Sequence, residues 1–198
     1  MDEAEIEEIG RIVKEVGLKY DGKGLTMKAG EVFPTDNASV VGLENGKPSV
    51  LLMKWGFPKH DGKGIVINAR SESASHKRMF QESFANQRCV IPSTGFFEWT
   101  KGRGADKQKF LFNMADDPML YMAGLYADYL QQNDSEQALS RFVILTKKAN
   151  NCMSDIHNRM PVILYKSEIR RWLTDVSFAK AIMSRDSVRL IRTAVEAA

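Results

Sequence analysis

The amino-acid sequence predicts a single domain of the α+β or mainly β class. Its 198 residues suit one domain. An apolar fraction of 43% and a charged fraction of 27% are ordinary for a globular protein. Many short apolar runs are separated by turn signals, and few helical stretches lie between them. This irregular order of strands and helices argues against a doubly wound parallel sheet.

The first predicted element is an amphipathic helix over residues 2–16. Asp2 is expected to cap its start, and Gly17 is expected to end it. A loop with three glycines should follow at residues 21–30. The apolar residues that recur on one helical face are Ile6, Ile9, Val13 and Val16.

A β-hairpin is the next prediction. Residues 40–43 and 50–57 are apolar, and the segment Glu-Asn-Gly-Lys at 44–47 is typical of a tight turn between them. A second turn at 61–64 leads into a short strand at 65–67. Residues 76–86 are predicted to be helical.

The remaining chain is predicted to consist mostly of strands. Ser167 should cap a helix over 167–173, and a second helix should cover 177–184. Residues 188–195 form either a last strand or a helix end. The short strands are predicted at residues 88–91, 95–99, 110–114, 120–126, 142–145 and 162–164.

Composition argues against several classes of protein. The sequence has no run of about eighteen apolar residues, as a transmembrane helix requires, and its acidic start is unlike a signal peptide. Cys89 and Cys152 form no CxxC pair, and the three histidines lack metal-ligand spacing. We therefore expect a cytoplasmic protein without a metal or another cofactor, and Cys89 is expected to be a buried, inert thiol.

The charge is unevenly distributed along the chain. The net charge is +3, but five acidic residues lie within the first ten. Without those five, 28 basic residues face 20 acidic ones, which gives +8. A basic body of this kind fits a polyanionic partner such as DNA, although many basic surfaces bind no polyanion.

A carboxylate and a histidine are candidates for acid–base chemistry. Glu98 lies between aromatic residues, which raise the pKa of a carboxyl group, so it is either a general base or a solvent-exposed glutamate. His157 lies in a loop-like stretch, where it either moves protons or is an ordinary surface residue. Cys152 and His157 together leave open a thiol hydrolase.

Two arginines and a tryptophan are candidates for binding nucleic acid. Arg70 and Arg159 each present a guanidinium fork that suits a phosphate, or else an ordinary ion pair. Trp55 either stacks on a base or fills the core of the hairpin.

The sequence segments around these candidate residues form an ordered set of motifs. The set resembles the SOS response-associated peptidase (SRAP) family, and the resemblance runs over nearly the whole chain. The motifs are Trp55-Gly56, then Asn68-Ala69-Arg70-x-Glu72, then Arg88-Cys89-x-x-Pro92-x-x-Gly95-Phe96-Phe97-Glu98-Trp99, then Thr146-x-x-Ala149-Asn150, and last Ile156-His157-x-Arg159-Met160-Pro161.

The resemblance implies a fold and a function. The fold would be α+β, one SRAP domain over residues 1–198 with a barrel-like, mostly antiparallel sheet core, flanking helices and a basic groove. The family recognises abasic sites in single-stranded DNA. An N-terminal cysteine forms a covalent DNA–protein crosslink there, and self-processing at the N-terminus underlies the peptidase name. The implied protein is a monomer that is associated with the nucleoid when bound to DNA.

The resemblance also implies roles for particular residues. Asn68 would position the N-terminal residue and the sugar, Glu98 would accept or orient the amine proton, and His157 would handle protons at the sugar. The residues implied to bind DNA are Arg70 and Arg159 at phosphates, with Trp55 and Pro34 along the groove.

The sequence departs from the family pattern at three places. It opens Met1-Asp2 rather than with Cys-Gly-Arg, from which we expect a miscalled start codon or a truncated chain. Asn158 replaces the usual aspartate of the His-Asp-Arg-Met-Pro motif, and His60 stands where a second tryptophan is common. A DNA-binding module that performs no chemistry is therefore the alternative function.

Overall fold

The computed structural model describes residues 3–21, 25–101, 107–129, 139–185 and 188–195. These residues form an α+β fold with a mostly antiparallel main sheet, a second sheet of three strands and a ribbon of two. The predicted fold class is confirmed.

The N-terminal helix α1 runs from Glu3 to Tyr20 and passes through Gly17, so the predicted end at Gly17 is wrong. Ile12 and Val16 on this helix are buried. The hydroxyl of Tyr20 accepts a hydrogen bond from the Leu52 amide at 3.1 Å. These contacts beyond the glycine offset its helix cost of about 1 kcal/mol. The predicted cap at Asp2 and the side chains of Ile6, Ile9 and Val13 lie outside the described residues.

The predicted hairpin is confirmed. Strand β1 (Asn37–Glu44) and strand β2 (Lys47–Trp55) are antiparallel, with Glu44 opposite Lys47. Asn45 and Gly46 both have positive φ angles, 52° and 73°, as a two-residue hairpin loop with the right-handed strand twist requires.

The main sheet closes into a loose ring. From the hairpin it continues through β6 (Arg88–Ser93) to β9 (Leu120–Tyr129), and β9 pairs with β10 (Leu139–Lys148). Strand β10 returns to β2 in parallel, at Arg141 and Phe142. Because β1–β6 and β2–β10 pair over only one or two residues, the ring is barrel-like without being a regular barrel.

Shorter strands complete the sheets. They are β3 (Phe57–Pro58), β4 (Ile65–Val66), β5 (Asn68–Arg70), β7 (Phe96–Trp99), β8 (Lys109–Met114), β11 (Arg159–Pro161), β12 (Ile163–Leu164) and β13 (Leu190–Val195). The second sheet has the order β13-β8-β7, so of the two alternatives for residues 188–195 the strand is confirmed.

Within the described residues, four short helices follow the first one, in addition to a 3-10 turn at Lys166–Glu168. The predicted helix over 76–86 is wrong in its first half, because residues 75–80 form turns. The predicted cap at Ser167 is also wrong, since the Glu168 carboxylate accepts from the Tyr165 amide at 2.9 Å. The four helices are α2 (Ser71–Ala74), α3 (Gln81–Asn86), α4 (Ile169–Thr174) and α5 (Val176–Ser184).

Apolar residues cover both faces of the main sheet. Trp172 and Phe84 bring α4 and α3 against one face, and Phe112 of the second sheet packs on the other. The Arg88 guanidinium, 5% exposed, donates to four carbonyl groups at the ends of α3 and α4. Cys89 is fully buried, which raises its pKa and agrees with the predicted inert thiol.

Candidate active site

Two of the motif segments, residues 68–72 and 156–161, meet at the end of β10. Strand β5 is parallel to β10, with Arg70 opposite Thr146. Strand β11 is antiparallel to β10 on its other edge, with Pro161 opposite the same Thr146. The motif segment over residues 88–99 contributes Glu98 from β7. The candidate site therefore lies between the main and second sheets.

Glu98 and His157 are in contact. Oε1 of Glu98 lies 3.7 Å from Nδ1 of His157, and the two side chains are 29% and 42% exposed. Burial raises the pKa of Glu98, while the charge of His157 and the Trp99 amide lower it by less. This carboxyl group therefore holds a proton more readily than a free glutamate and is still accessible to solvent.

The His157 ring has a partner in either protonation state. Nδ1 lies 3.0 Å from the carbonyl oxygen of Arg159 and 3.2 Å from its amide nitrogen. A protonated Nδ1 donates to the carbonyl, and an unprotonated Nδ1 accepts from the amide. The imidazole can therefore gain or lose a proton without giving up its position, as a proton-transfer residue requires.

A turn over residues 151–156 holds the backbone of His157 in place. The His157 amide donates to the Met153 carbonyl at 3.0 Å, and Met153 is fully buried. The Cys152 thiol donates to Oδ1 of Asn150 at 2.7 Å, and the side chain also packs against the apolar core. Because that thiol is engaged with Asn150, the structure offers no support for a Cys152–His157 nucleophile.

Asn68 and Arg70 face the same side of β5. Both side chains are exposed, while Ala69 between them is fully buried against β10. Within the part of the chain that the structure describes, neither side chain has a hydrogen-bond or ion-pair partner. Both groups are free to bind a ligand at this edge.

Arg159 is already paired, in contrast to Arg70. Its Nη1 and Nη2 atoms donate to the two carboxylate oxygens of Glu72 at 2.6 and 2.7 Å. Nη2 also donates to the Thr146 carbonyl at 2.5 Å. The pairing lowers the pKa of Glu72 to about 2. Sequence reasoning gave Glu72 no role, although it belongs to the Asn-Ala-Arg-x-Glu motif.

The turn that contains Pro34 is hydrogen-bonded to the backbone of Trp55. The Trp55 indole donates to the Ile67 carbonyl at 3.0 Å and stacks on Phe142 with ring centres 6.1 Å apart. Trp55 is half-buried, so one part of it packs in the core and another reaches solvent. Pro34 is the second residue of a turn that the Trp55 carbonyl fixes by accepting from the Thr35 amide at 2.9 Å.

A cation and two aromatic rings lie next to Glu98 on the second sheet, and sequence reasoning missed this group. Nζ of Lys109 lies 3.9 Å from the Phe97 ring centre and 5.4 Å from that of Trp99. The same ammonium group binds Glu31 at 2.7 Å. Lys109 thus ties the loop before Pro34 to the strand that carries Glu98.

The predicted site residues therefore fall into connected groups. Glu98, His157 and Arg159 contact one another directly or through the backbone of Arg159. Asn68 and Arg70 lie across β10 from Arg159, linked to it through Glu72. Of the groove candidates, Trp55 is linked to this group through Ile67, next to Asn68 in the chain, and the loop before Pro34 is linked to it through the pair of Glu31 with Lys109.

Among the described residues, no group of three or more His, Cys, Asp or Glu side chains is arranged to hold a metal ion. No helix among them is long and apolar enough to cross a membrane.

Comparison with known sequences gives consistent matches. Residues 5–194 match the family profile described as SOS response associated peptidase (SRAP). The abasic site processing protein YoqW of Bacillus subtilis is 29% identical over 161 residues, which cover 77% of this chain and 71% of that protein. The abasic site processing protein YedK of Escherichia coli is 33% identical over 120 residues, covering 60% and 52%.

Solved structures share the fold. A crystal structure of a protein from Bacteroides thetaiotaomicron superposes with a TM-score of 0.74 at 25% identity, covering 95% of this chain and 88% of that one. A protein from Bordetella bronchiseptica gives a TM-score of 0.72 at 24% identity, covering 91% and 94%.

Proposed function

Because the chain belongs to the SOS response associated peptidase (SRAP) family, we propose that it processes abasic sites in single-stranded DNA. Relatives of 28–33% identity carry the name abasic site processing protein. The single observation that carries the proposal is the contact of Glu98 with His157 at 3.7 Å. The exposed side chains of Asn68 and Arg70 lie on the strand across β10 from Arg159. This arrangement offers acid–base groups on one side of strand β10 and, on the other side, a cation with no partner among the described residues.

The proposed chemistry requires an acid and a base at one carbon atom. An abasic sugar opens to an aldehyde, and an amine attacks that carbonyl carbon. The amine must lose a proton, and the hydroxyl group of the addition product must gain one before it leaves as water. Glu98 takes the first role and His157 the second, while the Asn68 amide holds the sugar.

An N-terminal cysteine is the nucleophile in this proposal. Its amine forms the imine with loss of water, and its thiol then adds to the imine carbon to close a five-membered thiazolidine ring. Only an N-terminal cysteine has an amine and a thiol on adjacent carbons, so neither Cys89 nor Cys152 can substitute. Removal of the initiator methionine, which frees that amine, is the peptidase step.

The DNA strand is proposed to lie along the exposed edge of β5. Arg70 is the main phosphate contact, because its guanidinium has no protein partner among the described residues. Trp55 and Pro34 line the groove next to it. Arg159 was expected to bind a second phosphate and stays a weaker candidate, since Glu72 occupies its fork. We further propose that the protein acts as a monomer in the cytoplasm, at the nucleoid when bound to DNA.

A crosslinking experiment tests this function. The chain is prepared with a Met-Cys-Gly-Arg start before Asp2 and incubated with single-stranded DNA that contains one abasic site. We expect an adduct that survives heat and denaturant. The matched control carries Met-Ala-Gly-Arg and should form none, because it lacks the thiol.

The outcome that contradicts the proposal is equally clear. A cysteine-bearing protein that binds the abasic strand but forms no stable adduct would remove the crosslinking function and leave the DNA-binding module as the better description. Failure to distinguish abasic from intact strands would remove abasic-site processing altogether.

A further inference from the structure

The site has a connection that crosses strand β10. Asn68 and Arg70 lie on one edge of this strand, and His157 lies just before β11 on the other edge. Thr146 of β10 is paired with Arg70 on one side and Pro161 on the other. The position of the histidine relative to the asparagine therefore depends on what bridges the two edges.

The bridge is the ion pair of Glu72 and Arg159. Glu72 follows Arg70 by two residues, at the start of α2, and both its oxygens accept from Arg159 at 2.6 and 2.7 Å. The same guanidinium donates to the Thr146 carbonyl, in the strand that the pair crosses. Two parallel hydrogen bonds fix the orientation of both side chains as well as their separation.

The backbone of Arg159 is hydrogen-bonded to His157. Its carbonyl oxygen and amide nitrogen lie 3.0 and 3.2 Å from Nδ1 of His157. Any shift of the Arg159 backbone therefore moves the partner of the imidazole.

Both members of the pair are charged near neutral pH, and the pairing leaves little of Arg159 for DNA. Because the pKa of Glu72 is about 2, its carboxylate stays ionised near neutral pH. The Arg159 side chain is only 19% exposed, and its Nε is buried with no hydrogen-bond partner among the described residues. The carboxylate occupies the fork that a phosphate would need.

We propose that Glu72 is a positioning residue, which acts through Arg159 to fix His157 relative to Asn68. This inference rests on the proposed function. Its consequence is that Glu72 governs the rate of the reaction, while affinity for the strand is supplied by Arg70 and the groove. If Glu72 merely masked Arg159, its substitution would instead strengthen binding to DNA and leave the rate unchanged.

The test compares Glu72→Gln and Glu72→Asp in the chain bearing the cysteine start. Glu72→Gln keeps the length and removes the charge, whereas Glu72→Asp keeps the charge and shortens the reach. The matched control is Glu82→Gln, since Glu82 is an exposed glutamate on α3 that accepts from Asn86. Melting temperatures identify any variant that is not folded at the assay temperature.

We expect both Glu72 variants to slow adduct formation at saturating DNA by about tenfold or more, with the affinity for the abasic strand unchanged. Tighter binding with a steeper salt dependence in Glu72→Gln would overturn the proposal, because it would show that Glu72 masks a phosphate contact of Arg159. Rates equal to those of the parent and the control would also overturn it. A parent chain that forms no adduct would instead contradict the proposed function.

Discussion

Substitution of Arg70 by alanine is the sharpest test of where the DNA strand lies. The guanidinium is exposed and has no partner among the described residues, whereas that of Arg159 is bound by Glu72. Removing this side chain therefore breaks no hydrogen bond or ion pair within the described part of the fold. The variant should keep its stability and lose affinity for single-stranded DNA.

The size of the loss follows from one phosphate contact at an exposed site. A charge-assisted hydrogen bond of this kind contributes about 1–2 kcal/mol, which corresponds to roughly a 5- to 30-fold weaker affinity. The slope of log affinity against log salt should become shallower by about 0.7, the value for one phosphate of a single strand. Arg70→Lys should restore the slope but only part of the affinity, because it keeps the charge and loses the fork.

Fluorescence anisotropy with a labelled abasic oligonucleotide at several salt concentrations measures both quantities. Arg170→Ala is the matched control, since Arg170 is an exposed arginine on α4, a helix that packs on β6. If Arg70→Ala binds with the affinity and salt slope of the parent, the strand does not lie along β5 and the reasoning is refuted.

Three further predictions concern stability and are measured by urea unfolding. Arg88→Met should lose about 3 kcal/mol or more, because four carbonyl groups, three of them in buried contacts, lose their donor; a loss below about 1 kcal/mol would contradict this. Gly95→Ala should lose about 1–3 kcal/mol, since the added Cβ would lie 2.6 Å from the Phe112 carbonyl oxygen, and unchanged stability would contradict the packing. Pairing lowers the pKa of Glu72 from 4.5 to about 2, so its stabilisation is present above pH 4.5 and lost as the pH falls toward 2. Because Glu72 is 56% exposed, solvent screening limits this contribution to about 1 kcal/mol, and the stability difference from Glu72→Gln should vanish in acid.

Local sequence patterns predicted most of the strands but not all of the helix ends. The hairpin turn was predictable because Asn45-Gly46 favours the positive φ angles that the loop adopts. The continuation of α1 through Gly17 was not, because it depends on Tyr20 and Val16 packing on a strand more than thirty residues away. Helix ends that tertiary contacts decide carry no signal in the local sequence.

The candidate site, too, could be predicted from the sequence only in part. The ordered motifs pointed to Glu98, His157 and Arg70, and the structure places Glu98 and His157 in contact although 59 positions separate them. The pairing of Glu72 with Arg159 joins residues 87 positions apart. The sequence does not indicate which arginine an exposed glutamate pairs with, so this ion pair is seen only in the structure.

The central claim is that Glu98 and His157 form a reaction centre for abasic sites. The most direct test is the rate of adduct formation against pH at saturating abasic DNA, for the cysteine-bearing chain and its Glu98→Gln variant. Because burial raises the pKa of Glu98, the parent rate should rise with pH through a range above that of an ordinary glutamate. Glu98→Gln should react about 10²- to 10⁴-fold more slowly and lose that rise. A variant with the rate and pH profile of the parent would contradict the claim.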